Sequence, residues 1–243
     1  MAINVNQVYK SVLVILQQEK RGVLTPSEFN KIAAQAQQEI FTSYFDELNQ
    51  LLRQPQTSLA YADRYALLDE KISLFKRTSN LSTTTDVNVS LTNIQELGSV
   101  IYFETMTSEG REAQRIQKYE VYTTNQSPLT APSKHFPVYT YEDNVIQMYP
   151  SSIGEGPQGE GEYNLQVNYL AFPVEPKWEF DIDTELGNYI YNSTRSVDFE
   201  IHKSDQPLLI DKILGYAGVM AKDQLALQMA NAKEQKIDID GQK

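Results

Sequence analysis

Residues 25–55 read TPSEFNKIAAQAQQEIFTSYFDELNQLLRQP, and the first four already announce a helix. Thr25, Pro26 and Glu28 form a T-P-x-E capping box: the threonine and glutamate satisfy backbone N–H groups that the first turn leaves free, and proline sits where a missing N–H costs nothing. Ile32, Ala36, Ile40, Tyr44, Leu48 and Leu51 then repeat at three and four residues, as one apolar stripe requires, until Pro55 ends the pattern. A helix of this length reaches about 40 Å at ~1.5 Å per residue. Upstream, Val5, Val8, Val12, Ile15 and Leu16 make a second stripe ending near Gly22; downstream, Tyr61, Tyr65, Leu68, Ile72 and Phe75 make a third. Three amphipathic helices with short connections are expected to pack as a bundle.

Past Asn80 the period changes from near 3.6 to 2. A Ser/Thr-rich connector, Leu81 to Thr85, leads into alternation at Val87, Val89 and Leu91, then at Val100 to Glu104, Val138 to Met148 and Tyr163 to Leu170. Alternating Tyr and Val between turn residues predict a mostly antiparallel sheet region. From Arg111 to Tyr122 the pattern fits a short helix or a strand equally. After a strand-like Ser196 to His202, Ser204 or Asp205 is placed to cap a helix with Pro207 in its first turn and Leu209, Ile213, Tyr216, Ala217 and Met220 inside. A further amphipathic stretch runs from Lys222 to Lys233, and Lys236 to Lys243 is a polar tail. The expected class is α+β: a helical bundle over 1–80, a β-rich region over 81–203, and C-terminal helices and tail over 204–243 that pack on the bundle. No internal repeat points to a solenoid or propeller.

Composition narrows the functions. The 243 residues hold 32 acidic and 21 basic side chains, a net charge of −11, so the surface as a whole repels phosphate and does not wrap DNA. There is no cysteine, which removes disulfides, thiolate nucleophiles and cysteine-held metals. The longest early apolar run, Val12 to Leu16, is far short of the roughly 20 residues of a spanning helix. No membrane partner is expected, and synthesis is expected in the cytoplasm.

Residue patterns give little support to catalysis. Gly154-Glu155-Gly156-Pro157-Gln158-Gly159 matches G-x-G-x-x-G, but a strand pattern follows it where a phosphate-binding turn needs a helix, and Glu155, Glu160 and Glu162 oppose phosphate. It reads as a hairpin tip able to dock on a neighbouring subunit. His135 and His202 lack the spaced partners of a metal site. Asp181/Asp183 and Asp238/Asp240 lack the twelfth-position glutamate of a calcium loop. The basic doublets Lys20-Arg21 and Lys76-Arg77 fall at predicted helix ends, where they complement the dipole. No catalytic, cofactor or metal site is expected. Tyrosine, at 15 residues, is plentiful, and any excess over what the core holds marks subunit contacts.

A family resemblance comes from the ordered pieces Ser127-Pro128, Ala131-Pro132-Ser133, Phe136-Pro137-Val138-Tyr139, Ile146-Gln147-Met148-Tyr149-Pro150, Val167-Asn168-Tyr169-Leu170 and Pro173-x-x-Pro176-x-Trp178. With the opening Met1 to Arg53, and with Val197-Asp198-Phe199-Glu200 leading into Ile213-Leu214-x-Tyr216-Ala217-Gly218-Val219, the chain resembles virion structural proteins of crAss-like tailed bacteriophages. The resemblance implies a head-to-tail connector ring protein of the virion neck or tail barrel. Typically twelve copies form a homo-oligomeric ring below the portal, bind portal or adjacent ring and tail proteins, and extend a channel through which genomic DNA passes without specific contacts. An acidic wall suits that passage, since it makes no tight phosphate contacts.

From polarity and position, three segments are candidate subunit contacts. They are the loop from Ile153 to Gly161 with Glu155, Gln158 and Glu160; the stretch Gly110 to Gln117 with Arg111 and Arg115; and the C-terminal part with Lys222, Lys233, Lys236 and Asp240. Three other readings stay open: a fibre-docking or minor capsid protein, a host-surface glycan-binding module using exposed Tyr and Trp178, and a carboxylate hydrolase.

Overall fold

The computed structural model describes residues 3–18, 24–53, 59–81, 88–104, 109–150, 153, 164–183 and 187–220. The chain is α+β. It divides into two compact units, one made of residues 1–74 and 173–243, the other of residues 75–172. Residues 173–203 group with the helical segments, and Val174, Trp178 and Glu200 among them bond to Asn30 and Gln37.

In the first unit, helices α1 (Val5–Gln18), α2 (Pro26–Arg53) and α3 (Leu59–Ser73) follow the three stripes, and α5 (Gln206–Met220) packs against α1 and α2. The capping box forms as read: the Thr25 N–H donates to Glu28 Oε2 at 2.9 Å, and the Glu28 N–H donates to Thr25 Oγ1 at 3.4 Å. The Thr25 hydroxyl, which donates to the same carboxylate oxygen at 2.6 Å, and then the Thr25 N–H hold the Glu28 carboxyl below the usual carboxylate range. Ile32, Ala36, Ile40 and Tyr44 on α2 are buried, as are Leu209, Ile213 and Ala217 on α5, so the apolar rows of both helices serve one core. On α3 only part of the expected stripe is inside: Leu68 and Ile72 are buried, Tyr65 is exposed, and buried Phe75 lies beyond the helix end.

Val174, Trp178 and Glu200 are held by polar side chains of this same unit. Buried Gln37 donates to the Val174 carbonyl at 2.7 Å and accepts from the Glu200 N–H at 3.1 Å. The strand-like stretch 196–202 forms two isolated bridges, Val197 with Lys177 and Phe199 with Ile3, in place of a strand. Asp205 precedes α5, but its carboxylate does not cap the helix. It accepts from Tyr44 Oη at 2.5 Å and Lys71 Nζ at 2.9 Å, joining α2, α3 and the start of α5. Burial first, then the Asp205 carboxylate, pushes the Tyr44 hydroxyl far above the ordinary tyrosine range.

The second unit holds two four-stranded sheets. One has the order β1 (Lys76–Leu81), β8 (Leu165–Ala171), β3 (Ile94–Tyr102), β4 (Arg111–Glu112), all antiparallel. The other has the order β2 (Asn88–Ser90), β7 (Val145–Tyr149), β6 (Val138–Glu142), β5 (Gln114–Arg115), antiparallel except for the parallel β5–β6 pair. Val100, Tyr102, Leu165 and Val167 from the first sheet and Tyr139, Ile146 and Met148 from the second share one core. Lys76-Arg77 thus opens an edge strand paired with Leu170 and Tyr169, and does not end a helix. β7 and β8 flank residues 151–163 but lie in different sheets, so they do not form the hairpin expected across Gly154–Gly159. On β3 the register slips between Leu97 and Val100, and a Cβ on Gly98 would sit 2.8 Å from the Asn168 carbonyl oxygen, so only glycine fits that close approach.

Candidate interaction surface

The ambiguous stretch after Gly110 resolves into a strap that changes sheets and then exposes aromatics. Gly110 starts it where a Cβ would lie 2.7 Å from the Ile101 side chain and 2.8 Å from the Phe103 ring. Arg111 and Glu112 pair with β3, the buried Ala113 donates its N–H to the Val100 carbonyl at 2.8 Å, and Gln114 and Arg115 cross to pair with β6. The Ile116 N–H then donates to the Tyr139 carbonyl at 2.9 Å. Helix α4 (Glu120–Gln126) follows, its first turn closed by the Glu120 carboxylate, which accepts the Gln117 N–H at 3.1 Å.

Only Val121 of α4 is buried, so the helix is held by one anchor and the strap around it. The chain beyond α4 is braced locally. The Ala131 N–H donates to the Ser127 carbonyl at 2.9 Å, Ser133 and Phe136 exchange backbone bonds, and Arg111 Nη1 donates to the Lys134 carbonyl at 3.0 Å. On this braced segment Tyr119 is 76% exposed, Tyr122 77%, Leu129 97% and Phe136 79%. Four large apolar side chains in water over residues 119–136 are not needed by the core, and aromatic residues of this kind favour protein contacts.

The segment carries no excess charge: Arg111, Arg115, Lys118 and Lys134 stand against Glu112 and Glu120, and against Glu104 and Glu142, which pair with Arg111 and Lys118. Arg115 lies over the Tyr141 ring with its guanidinium 5.5 Å from the centroid, and Lys118 Nζ is 2.6 Å from Glu142 Oε2. That hydrogen bond raises the Lys118 ammonium above the ordinary lysine range.

Of the candidate contacts read from the sequence, Gly110, Arg115 and Gln117 are exposed on this strap, and Arg111 is half-buried and braces it. Ile153 is 1% exposed: its side chain belongs to the core, its N–H donates to the Pro150 carbonyl at 3.0 Å, and it is not presented to a partner. Glu155, Gln158, Glu160, Lys222, Lys233, Lys236 and Asp240 lie outside the described residues. The sequence reading stopped at Gln117 and missed Tyr119, Tyr122, Leu129 and Phe136. The signal available was the rule that aromatics in excess of the core mark contacts.

A second apolar surface lies on the first unit. Strands β9 (Phe180–Ile182) and β10 (Tyr189–Tyr191) form an antiparallel hairpin on which Ile182, Tyr189 and Ile190 are each more than half exposed. Its root is rigid. Trp178 is 4% exposed and packs its ring against Tyr9, Phe180 and Tyr191, with centroids 4.6, 5.8 and 5.7 Å away. Asn6 and Asn30 take its indole and backbone N–H groups at 3.2 and 2.8 Å. Trp178 is therefore not the exposed sugar platform of the glycan-binding reading. Its described charged residues are Glu179, Asp181 and Asp183 against Lys177 and Arg195. Arg195 pairs with Asp181 and Lys177 with Glu179.

Among the described residues, no group of three or more His, Asp and Glu side chains is placed to hold a metal ion, and no helix is long and apolar enough to cross a membrane. No protein-family model matches the chain, and no curated protein matches it.

Proposed function

We propose that this chain is a structural subunit of a head-to-tail connector ring in a tailed-phage virion, extending the DNA channel below the portal. In this reading its work is geometric and not enzymatic: copies bind one another, engage portal or adjacent ring and tail proteins, and surround the genome without gripping it. The observation that carries the reading is the pair of exposed apolar surfaces, one on each unit of the same chain. A ring needs two different surfaces per subunit, because head-to-tail contacts close only when one patch meets a different patch on the next copy. The net charge of −11 supports a channel wall that shares the sign of DNA. The sequence resemblance to crAss-like phage virion proteins supplies the location.

The test is imaging of intact particles together with native mass spectrometry of the purified chain. Closed rings of a single stoichiometry, twelve if the resemblance holds, and density for the chain in the neck or tail barrel are the expected result. A single copy per particle, or a position in a fibre or on the capsid shell, overturns the reading.

A further inference from the structure

We infer that Ser204 is an activated nucleophile, the acyl-accepting group of a Ser–His–Glu relay that cleaves small neutral carboxylic esters. The inference is independent of the connector-ring reading and adds a reactive group to a chain whose work in a ring is geometric. It starts from the turn that precedes α5. His202 is half-buried and caps the single turn Lys203–Asp205, its Nδ1 accepting the Ser204 N–H at 3.3 Å. A backbone N–H can only donate, so Nδ1 carries its lone pair and the ring proton sits on Nε2. The Ser204 hydroxyl lies on that same lone pair, with Oγ 2.8 Å from Nδ1. It therefore faces a base. On the far side of the ring, Nε2 is 3.8 Å from Glu70 Oε1 on α3, within reach to orient the ring and steady an imidazolium.

A cap needs only the first of these bonds. A nucleophile on a base, with the base against an orienting carboxylate, is the arrangement that activates a serine. The other contact of Oγ is Asp205 Oδ1 at 3.3 Å, a longer approach to a carboxylate already occupied by Tyr44 and Lys71. Those two bonds tie the turn to α2 and α3, so Ser204 sits on braced backbone.

Ser204 is exposed and opens on a cavity of about 490 Å³, lined also by Lys203, Gln206, Pro207, Ile210 and Asp211. Pro207 and Ile210 offer an apolar wall to an acyl chain, and Lys203 and Gln206 supply donors for an oxygen that becomes negative. Asp211 and Asp205 oppose an anionic substrate, which sets the class as neutral esters. The cycle balances with water as the one added reagent. Ser204 Oγ bonds to the carbonyl carbon as its proton passes to Nδ1, and the ester C–O bond breaks as the alkoxide leaves with that proton. Water then attacks acyl-Ser204 with Nδ1 again as base, releasing the acid and restoring the hydroxyl.

A fluorophosphonate probe, which bonds activated serines, tests the full chain, and peptide mass spectrometry reads the position. Ser204 is expected to take the probe at least about a hundredfold faster than Ser27, Ser73 and Ser193, exposed serines of the same chain. That ranking needs no variant. His202→Asn keeps a side-chain acceptor for the Ser204 N–H but removes the base, and is expected to slow labelling about a hundredfold or more, with circular dichroism unchanged. Glu70→Gln is expected to slow it less, because the base remains. Turnover of p-nitrophenyl acetate by the parent chain is expected to disappear in Ser204→Ala. Ser204 labelled no faster than the three reference serines is a capping residue only, and that result overturns the proposal. Fast labelling that survives His202→Asn overturns the relay, and release of one nitrophenolate per chain without turnover overturns the ester-cleaving cycle.

Discussion

Replacing Asp205 by alanine is the most incisive test of how the helical unit holds together. The carboxylate accepts hydrogen bonds from Tyr44 at 2.5 Å, Lys71 at 2.9 Å and the Ser204 hydroxyl at 3.3 Å, and the Lys71 and Asp205 side chains are only 14% and 12% exposed. A hydrogen bond to a charged group contributes roughly 1.5–3 kcal/mol, and removing one member of a buried pair costs about 3–5 kcal/mol because the other charge is stranded. Both routes lead to a loss of about 3 kcal/mol or more for Asp205→Ala, a large share of the ~5–15 kcal/mol of a typical domain. Lys71→Met in the same chain removes the stranded ammonium, so the double variant is expected to recover about 1–3 kcal/mol relative to the sum of the singles. Urea titration of the full chain followed by tryptophan fluorescence reads this unit directly, because the one tryptophan, Trp178, is buried within it. A loss under about 1 kcal/mol for Asp205→Ala, or strict additivity with Lys71→Met, refutes the idea that the triad is a coupled buried network.

Three further outcomes follow from the fold. Thr25→Ala removes the hydroxyl side of the capping box and is expected to cost about 1 kcal/mol, read as a lower urea midpoint with unchanged slope. Gly98→Ala forces a methyl group against the Asn168 carbonyl oxygen, where backbone cannot yield cheaply. It is expected to cost about 1–3 kcal/mol, with faster amide exchange confined to β3 and β8. Burial raises the hydroxyls of Tyr9, Tyr44, Tyr102 and Tyr139 above the ordinary value of 10.0. The folded state therefore binds more protons than the unfolded chain above that pH, so stability is full below pH 10 and falls as pH rises further. Thermal melts at pH 8, 10 and 11 check the sign, and a Tm that holds or rises above pH 10 contradicts it.

What the sequence made legible was local. The α2 capping box and its stripe are written in adjacent residues, and they appear as read because both the cap bonds and the burial depend only on helix geometry. The two-unit division was not legible, since it depends on β1 choosing β8 as its partner some ninety residues later, with Ser79 opposite Val167. Nothing in KRTSNL signals that choice, and the preceding helical period carried the reading past the true end of α3 at Ser73. Asp205 looked like a cap because its position suits one; its real partners, Tyr44 and Lys71, come from distant turns of other helices. The strap was half legible: Gly110 to Gln117 was picked for polarity, while the exposed tyrosines beyond it matched core tyrosines in every local respect. Only tertiary packing separates Tyr122, in water, from Tyr139, in the core.

The split of the helical unit around residues 75–172 sets an order of events at the ribosome. The sheet unit is contiguous and is complete once Phe172 has emerged. Helices α1 to α3 are made first, yet they lack α5, which covers α1 and α2 and is translated only after residue 205. At ~5–20 residues per second the nascent helices wait on the order of 10 s with their apolar rows uncovered. Each polypeptide therefore passes through an interval in which its earliest-made segment is its stickiest, and newborn copies crowded on one message are safest when α5 arrives before a neighbour does.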